Sequence, residues 1–438
     1  MSRSFIIAFK TLVLFAGPLF VLSACSHNDP PLAGDRLAIL KTSENLKVDE
    51  SLEDYKVEVS EPVPTREWTQ SGMVASHLLP HFELASALSV AWKKDIGAGS
   101  QHNRKLLSLP IISENKIYTL DSYGKVSALR TDNGALLWHF NSKPSKEESP
   151  IANGGLAYDT QKIFVATGFA QIIALDAQTG KEIWHQDVSA PIRSAPSVSD
   201  GRVFVVTIDN TLFALSQEKG EVLWTHAGMT EYAGLLGGAS PAIMNDLVVA
   251  PFSSGEVVGI KVESGHPLWG DALTSLRRTD SVSSISTIKG NPVIDHQMVF
   301  VIGHGNRMFA LNAKTGEQIW EKHIGGLYTP LVHKDVVFVV TNEHQLLCLK
   351  KETGQIVWIE PLQKTLSKSS PAITWAGPIL AQNKLYLTNS LGSLVSFSPI
   401  TGKIIDSIHF KENFQMPPVI AGKTMYLLAE SGKLYALK

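Results

Sequence analysis

Cysteine is nearly missing: two stand in the 438 residues, Cys25 and Cys348. No disulfide framework organises this fold, and each position needs its own explanation. Charge is sparse as well, with 18% Asp, Glu, Lys and Arg and a formal net charge of -2. That balance lacks the basic footprint that draws a protein to nucleic acid, so no nucleic-acid partner is expected. Ligand spacing is also lacking. No pair of the 14 His stands at metal-ligand spacing on one element, and the carboxylates sit mostly in turns such as Asp132, Glu218, Glu263 and Glu352. The most apolar stretch, Thr11 to Leu22, is too short for a comfortable membrane span and is broken by Gly17-Pro18. What the chain does have is Gly (33) and Pro (22), spread along its length. Many short strands joined by tight turns would need that distribution.

The N-terminus reads as an export signal. Arg3 and Lys10 supply positive charge, the apolar stretch follows, and it ends in Leu22-Ser23-Ala24-Cys25. Cys directly after Leu-Ser-Ala resembles the lipobox of bacterial lipoproteins. The resemblance implies that residues 1–24 are removed and that Cys25 carries the lipid, palmitate included. Ser26 in place of Asp after that Cys implies an outer-membrane destination, with the domain held on the periplasmic face. Acyl chains contribute about 0.8 kcal/mol per buried CH₂, so such a terminus anchors a domain firmly. Residues 25–64, with Asn28-Asp29-Pro30-Pro31 and a mixed-charge run from Lys41 to Glu61, read as a flexible tether. The domain proper is expected over 65–438.

That domain is a repeat. ALRTDNGALLW, ALDAQTGKEIW, ALSQEKGEVLW, GIKVESGHPLW, ALNAKTGEQIW and CLKKETGQIVW share one frame. An apolar residue is followed nine positions later by Trp: Leu129 and Trp138, Leu175 and Trp184, Leu215 and Trp224, Ile260 and Trp269, Leu311 and Trp320, Leu349 and Trp358. A seventh copy, SFSPITGKIID, has Asp406 in the Trp position. Glycine recurs between the apolar runs (Gly134, Gly180, Gly220, Gly265, Gly316, Gly354, Gly402), as a hairpin needing positive φ requires. The residue before each apolar position is small, and Cys348 fills that slot as a core side chain.

Two further strands precede each copy, opened by Pro110, Pro150, Pro196, Pro241, Pro292, Pro330, Pro378 and Pro417. Each unit therefore has four strands. The last unit ends at Leu437-Lys438 without its fourth strand, while Trp92, in Val90-Ala91-Trp92, stands without a hairpin before it. The N-terminal strand is expected to complete the last sheet and close the ring. The fold class is thus all-β, an eight-bladed β-propeller of four-stranded antiparallel blades. Trp92, Trp138, Trp184, Trp224, Trp269, Trp320 and Trp358 are read as structural, covering the seams between blades.

The Ala-Leu-x-x-x-x-Gly-x-x-x-Trp repeat resembles that of the quinoprotein (PQQ) dehydrogenase propellers over residues 87 to 438. That superfamily holds both redox enzymes and proteins without a cofactor. The enzymes imply adjacent cysteines, calcium-binding carboxylates and a catalytic Asp in the central funnel, and no such set is found in this sequence. No catalytic residue, metal or cofactor is therefore expected. A periplasmic PQQ-dependent oxidoreductase stands as the alternative. Lipobox, tether and Trp-repeat propeller together resemble the BamB family of outer-membrane β-barrel assembly lipoproteins, with Trp68-Thr69-Gln70 and Ser286 to Asp295 as further matching segments.

The BamB resemblance implies a non-catalytic scaffold. Its implied partners are the BamA-type barrel subunit, other assembly-complex members and nascent outer-membrane proteins. A family contact motif maps onto Pro191-Ile192-Arg193-Ser194-Ala195-Pro196 and nominates Ile192 and Arg193. The family's acidic pair before a later blade is replaced by Thr287-Ile288-Lys289, and Arg277, Arg278 and Asp280 in the same long connection are nominated instead. His304, in Gly303-His304-Gly305-Asn306, is expected to be exposed.

Overall fold

Each sequence repeat becomes one antiparallel sheet of four strands. The computed structural model describes residues 46–438 apart from 103, 145–151, 232–234, 273–286 and 363–372. Cys25, Pro150, Arg277, Arg278 and Asp280 lie outside the described residues. Among the described residues eight four-stranded sheets account for the strands, and a short 3-10 turn spans Glu50–Leu52. Blades one to seven span 111–141, 155–187, 197–227, 242–272, 293–322, 331–361 and 375–409, and blade eight spans 419–437. Strand Val90–Asp95 pairs antiparallel with Lys433–Leu437 and supplies the fourth strand of blade eight. The chain is an all-β, eight-bladed propeller closed by its own N-terminal strand.

Blade three shows why these residues form this sheet. Its strands are Ser197–Ser199, Arg202–Val206, Thr211–Ser216 and Val222–Ala227. The second and third are apolar and buried almost throughout, because neighbouring blades cover both faces. The outer strand alternates between exposed and half-buried residues, since one of its faces meets water. A register shift falls between Ala214 and Leu215. It recurs between the two motif residues in blades one to seven, so the Ala-Leu pair marks a β-bulge.

The small residue has its own reason. Ala128, Ala174, Ala214, Gly259, Ala310 and Cys348 each stand directly opposite the Trp of their blade. The indole lies flat over that position, and a Cβ on Gly259 would collide with Trp269. Cys348 is fully buried there, and burial pushes its thiol pKa up, so it is an inert packing residue.

Each Trp then reaches the next blade. Its indole packs on the hairpin glycine of that blade, as Trp320 does on Gly354, where a Cβ would come 2.8 Å from the ring. Its Nε1–H donates to the carbonyl three residues before that glycine. The bonds run from Trp92 to Thr131 (3.2 Å), Trp138 to Ala177 (3.1 Å), Trp184 to Gln217 (3.2 Å) and Trp224 to Val262 (2.9 Å). They continue from Trp269 to Ala313 (2.9 Å), Trp320 to Lys351 (2.7 Å) and Trp358 to Pro399 (3.2 Å).

The packed body starts earlier than the sequence suggests. It extends over 46–438, so residues 46–64, expected as part of a flexible tether, belong to the packed body. Asp49 N–H donates to the Ile356 carbonyl (2.9 Å), Val57 is buried, and Leu52, Tyr55 and Val59 pack beside it. These residues cover blade six, where Ile356 and Val357 are 4% and 8% exposed, against 52% and 45% for their counterparts Leu136 and Leu137 on blade one. The apolar residues of this segment bury singly among charged neighbours, without a period that patterning could reveal.

Candidate functional site

The innermost strands are mostly three residues long, and their inward edges would leave backbone groups unpaired. One segment caps them in ring order. Gly422 N–H of blade eight donates to Thr65 O (2.7 Å). Trp68 exchanges two backbone hydrogen bonds with Ile112 of blade one (2.8 and 2.7 Å), and Tyr158 N–H of blade two donates to Thr69 O (2.7 Å). The Gln70 amide imitates a backbone unit, donating to Val198 O (2.9 Å) and accepting from Val198 N–H (2.8 Å) in blade three.

Ile243 of blade four donates to Ala75 O (2.8 Å) and Ile294 of blade five to Ser76 O (2.9 Å). Phe82 bonds to Leu380 O and Gln382 N–H at blade seven, both at 3.0 Å. At blade six, His333 Nε2 accepts from Ser60 N–H (3.1 Å). Val63 and Phe82 form a parallel bridge that closes the circuit. Residues 60–83 therefore form a belt that meets every blade.

Belt residues and the residues that lead into each blade together line a central well of about 330 Å³. Trp68, Ser71, Gly72, His77 and Leu79 come from the belt. His77 is fully buried, and its Nδ1–H donates to Pro292 O (2.7 Å). Burial lowers its pKa to about 4 against the opposing pull of that carbonyl, so the ring is neutral and its Nε2 is an acceptor. No partner meets that Nε2, nor the buried Trp68 Nε1, Arg193 Nε and Ser194 Oγ, all on residues lining the well.

The same well is lined by three cations and one carboxylate: Lys105, Arg193, Lys289 and Glu430. Glu430 accepts from Ser100 Oγ (2.9 Å). None of the three cations forms an ion pair among the described residues. Burial lowers the Lys289 pKa from its ordinary value while Glu430 pulls it back. Burial raises the Tyr328 phenol to about 12, Glu430 adding to it, and the hydroxyl donates to Gln415 O (3.0 Å).

Of the nominated contact residues, Ile192 is a correction. It is 0% exposed, its N–H donates to Thr167 O (3.1 Å), and it packs in the core between blades two and three. An apolar side chain beside a blade entrance turns inward, so it offers no contact. Arg193 is half-buried and lines both the well and a second hollow with Thr207, Asn210 and Leu235. His304 also departs from expectation: it is half-buried, with Nδ1 buried and unpartnered. Lys289 was named in the sequence only as part of Thr287-Ile288-Lys289, in place of an acidic pair, and His77 was not singled out.

A calcium-held quinone does not fit this well. Its single carboxylate is already bonded to Ser100, and no group of three His, Cys, Asp or Glu among the described residues could hold a metal ion. Three cations face the space in which that chemistry needs carboxylates.

The sequence model of the family described as outer membrane protein assembly factor BamB matches residues 122–360. The outer membrane protein assembly factor BamB of Yersinia pestis is 24% identical over 264 residues, covering 59% of this chain and 67% of that protein. An uncharacterized protein of Rickettsia prowazekii is 26% identical over 220 residues, 50% of this chain. The chain spans about half the length of that relative (53%). Among solved structures, BamB from Moraxella catarrhalis superposes with a TM-score of 0.69 at 16% identity, covering 80% of this chain and all (100%) of that one. A europium-containing methanol dehydrogenase reaches 0.67 at 15% identity, covering 85% and 98%. At these identities the superpositions show the fold alone, which an assembly factor and a dehydrogenase share. The sequence match is what separates them, since it spans more than half the chain and most of the repeat: this chain belongs to the outer membrane protein assembly factor BamB family.

Proposed function

We propose that this chain is a non-catalytic scaffold lipoprotein of the outer-membrane protein assembly complex. In this reading Cys25 carries the lipid, the propeller stands on the periplasmic face of the outer membrane, and the surface around Arg193 binds the BamA-type subunit. Other complex members and nascent outer-membrane proteins are further partners. The observation that carries the reading is Arg193. It is a half-buried guanidinium with no ion-pair partner among the described residues, beside the fully buried Ile192 that holds its loop. A charge held in that state is available for a carboxylate or strand carbonyl of a partner. Arg277, Arg278 and Asp280 are proposed to extend the same surface.

The test is an affinity pull-down from crosslinked cell envelopes, read by mass spectrometry. The BamA-type subunit is expected with the natural chain and at least about tenfold less of it with Arg193→Glu, as loss of a charge-assisted contact implies. Equal recovery with both chains rejects the Arg193 surface. Recovery of no assembly subunit rejects the scaffold reading itself. Cys25→Ser is expected to leave the chain unlipidated, visible as loss of acyl mass from the N-terminal peptide.

A further inference from the structure

The well combines features that a spacer between blades does not need. Three cations without ion-pair partners among the described residues, Lys105, Arg193 and Lys289, converge on one concave space from three different blade entrances. The wall between them is apolar and includes Leu107, Leu236, Leu327 and Met416. A concave, largely apolar space with a few charged groups is the usual form of a small-ligand site. Gly237 adds room: the Lys289 stem passes 3.2 Å from where its Cβ would stand.

The chemistry of the guest follows from that inventory. Net charge in the well is positive, three cations against Glu430, so the guest is an anion. The leucine wall asks for an apolar body beside the charge, which inorganic phosphate lacks. We propose that the well binds a carboxylate carried on an apolar body, with the charge at Lys289 and its neighbouring cations. Two sources supply that chemistry: the C-terminal end of a polypeptide, which brings amides as well, and a free small acid. The inference goes beyond the scaffold reading and does not rest on it, because binding of a small probe needs no assembly partner.

Isothermal titration of the full chain separates the sources. The probes are acetyl-Gly-Ser-Val-Leu with a free carboxylate, the same peptide amidated, and 4-phenylbutyrate. The free-acid peptide is expected to bind, with the amide weaker by about tenfold or more, since an ionised acceptor makes the stronger hydrogen bonds. Binding of that peptide alone identifies a chain end as the guest, and binding of 4-phenylbutyrate as well identifies free acids as sufficient.

Lys289→Met is expected to weaken every carboxylate probe by about tenfold, and Lys289→Arg to stay within about threefold of the natural chain, because charge rather than shape is at issue. Should Lys289→Met fail to fold, Lys105→Met reads the same charge dependence. Equal affinity of acid and amide overturns the proposal, as does absence of heat with both acids or unchanged affinity in a folded variant that lacks the lysine charge.

Discussion

Seven seams of the ring and the eighth are built differently. At seven, a tryptophan of one blade lies on the hairpin glycine of the next and donates to a carbonyl three residues upstream of it. At the seam from blade seven to blade eight the corresponding residue is Asp406, exposed, with its carboxylate capping Ser407 N–H (2.8 Å). Blade eight is closed by the two chain ends, Lys433–Leu437 and Val90–Asp95, and so has no hairpin there. No glycine is offered and no indole answers it. A hollow of about 220 Å³ remains, lined by Ser86, Leu88, Tyr386 and Asp406 among others. The tryptophan is therefore a response to its neighbour's turn, not a property of the blade that carries it.

The largest break in this comparison comes from removing an indole. Trp320→Ala is expected to destabilise by about 3–5 kcal/mol, through lost packing and a lost hydrogen bond. Asp406→Ala at the odd seam should change stability by no more than about 0.5 kcal/mol. Urea unfolding of the two variants decides it, and similar losses would show the seams to be equivalent.

Next in size is the glycine itself. Gly354 has φ +67° and Gly422 has φ +58°, so alanine strains both, yet only Gly354 faces an indole. Gly422→Ala should cost about 1 kcal/mol from backbone strain, and Gly354→Ala about 1–2 kcal/mol more. Equal losses in thermal unfolding would mean that the indole yields freely.

Acid sharpens the contrast between seams and belt. Burial first, then His81 and Lys334, lower the His333 pKa to about 4, and burial lowers His77 to about 4. Both rings are neutral when folded, so the unfolded chain binds protons first as pH falls. Stability should be complete above the ordinary imidazole value of about 6.5 and decline toward pH 4. His77→Gln should flatten that decline in urea titrations at stepped pH, whereas Trp320→Ala should leave its slope unchanged. The smallest effect is expected from Asp406→Trp. With no glycine turn to receive the ring, stability should move by about 0.5 kcal/mol or less, and a clear gain would contradict the reading of the odd seam.

Much of the fold was legible because its instructions repeat. The nine-residue step from apolar residue to Trp, the hairpin glycine and the small residue appear in copy after copy, and Trp92 without a hairpin announced how the ring closes. The site was legible only in outline. Pro191 to Pro196 was singled out, but its apolar member, Ile192, proved to be core and its charge, Arg193, faces the well. Arg277, Arg278 and Asp280 stay outside the described residues. His77 escaped notice, and Lys289 registered only as the replacement of an acidic pair, because a residue without a counterpart in other blades carries no periodic signal.

By itself the sequence determined that there are eight blades, that each has four strands, and which residues bury between them. Backbone pairing and burial act locally and identically in every unit, so they leave a repeating trace. Tertiary structure alone decided the belt of residues 60–83 and the central well. The belt holds largely through backbone hydrogen bonds, which almost any residue could make, with the Gln70 and His333 side chains serving at blades three and six. The well takes two to four residues from each entrance, brought together only when the ring has closed.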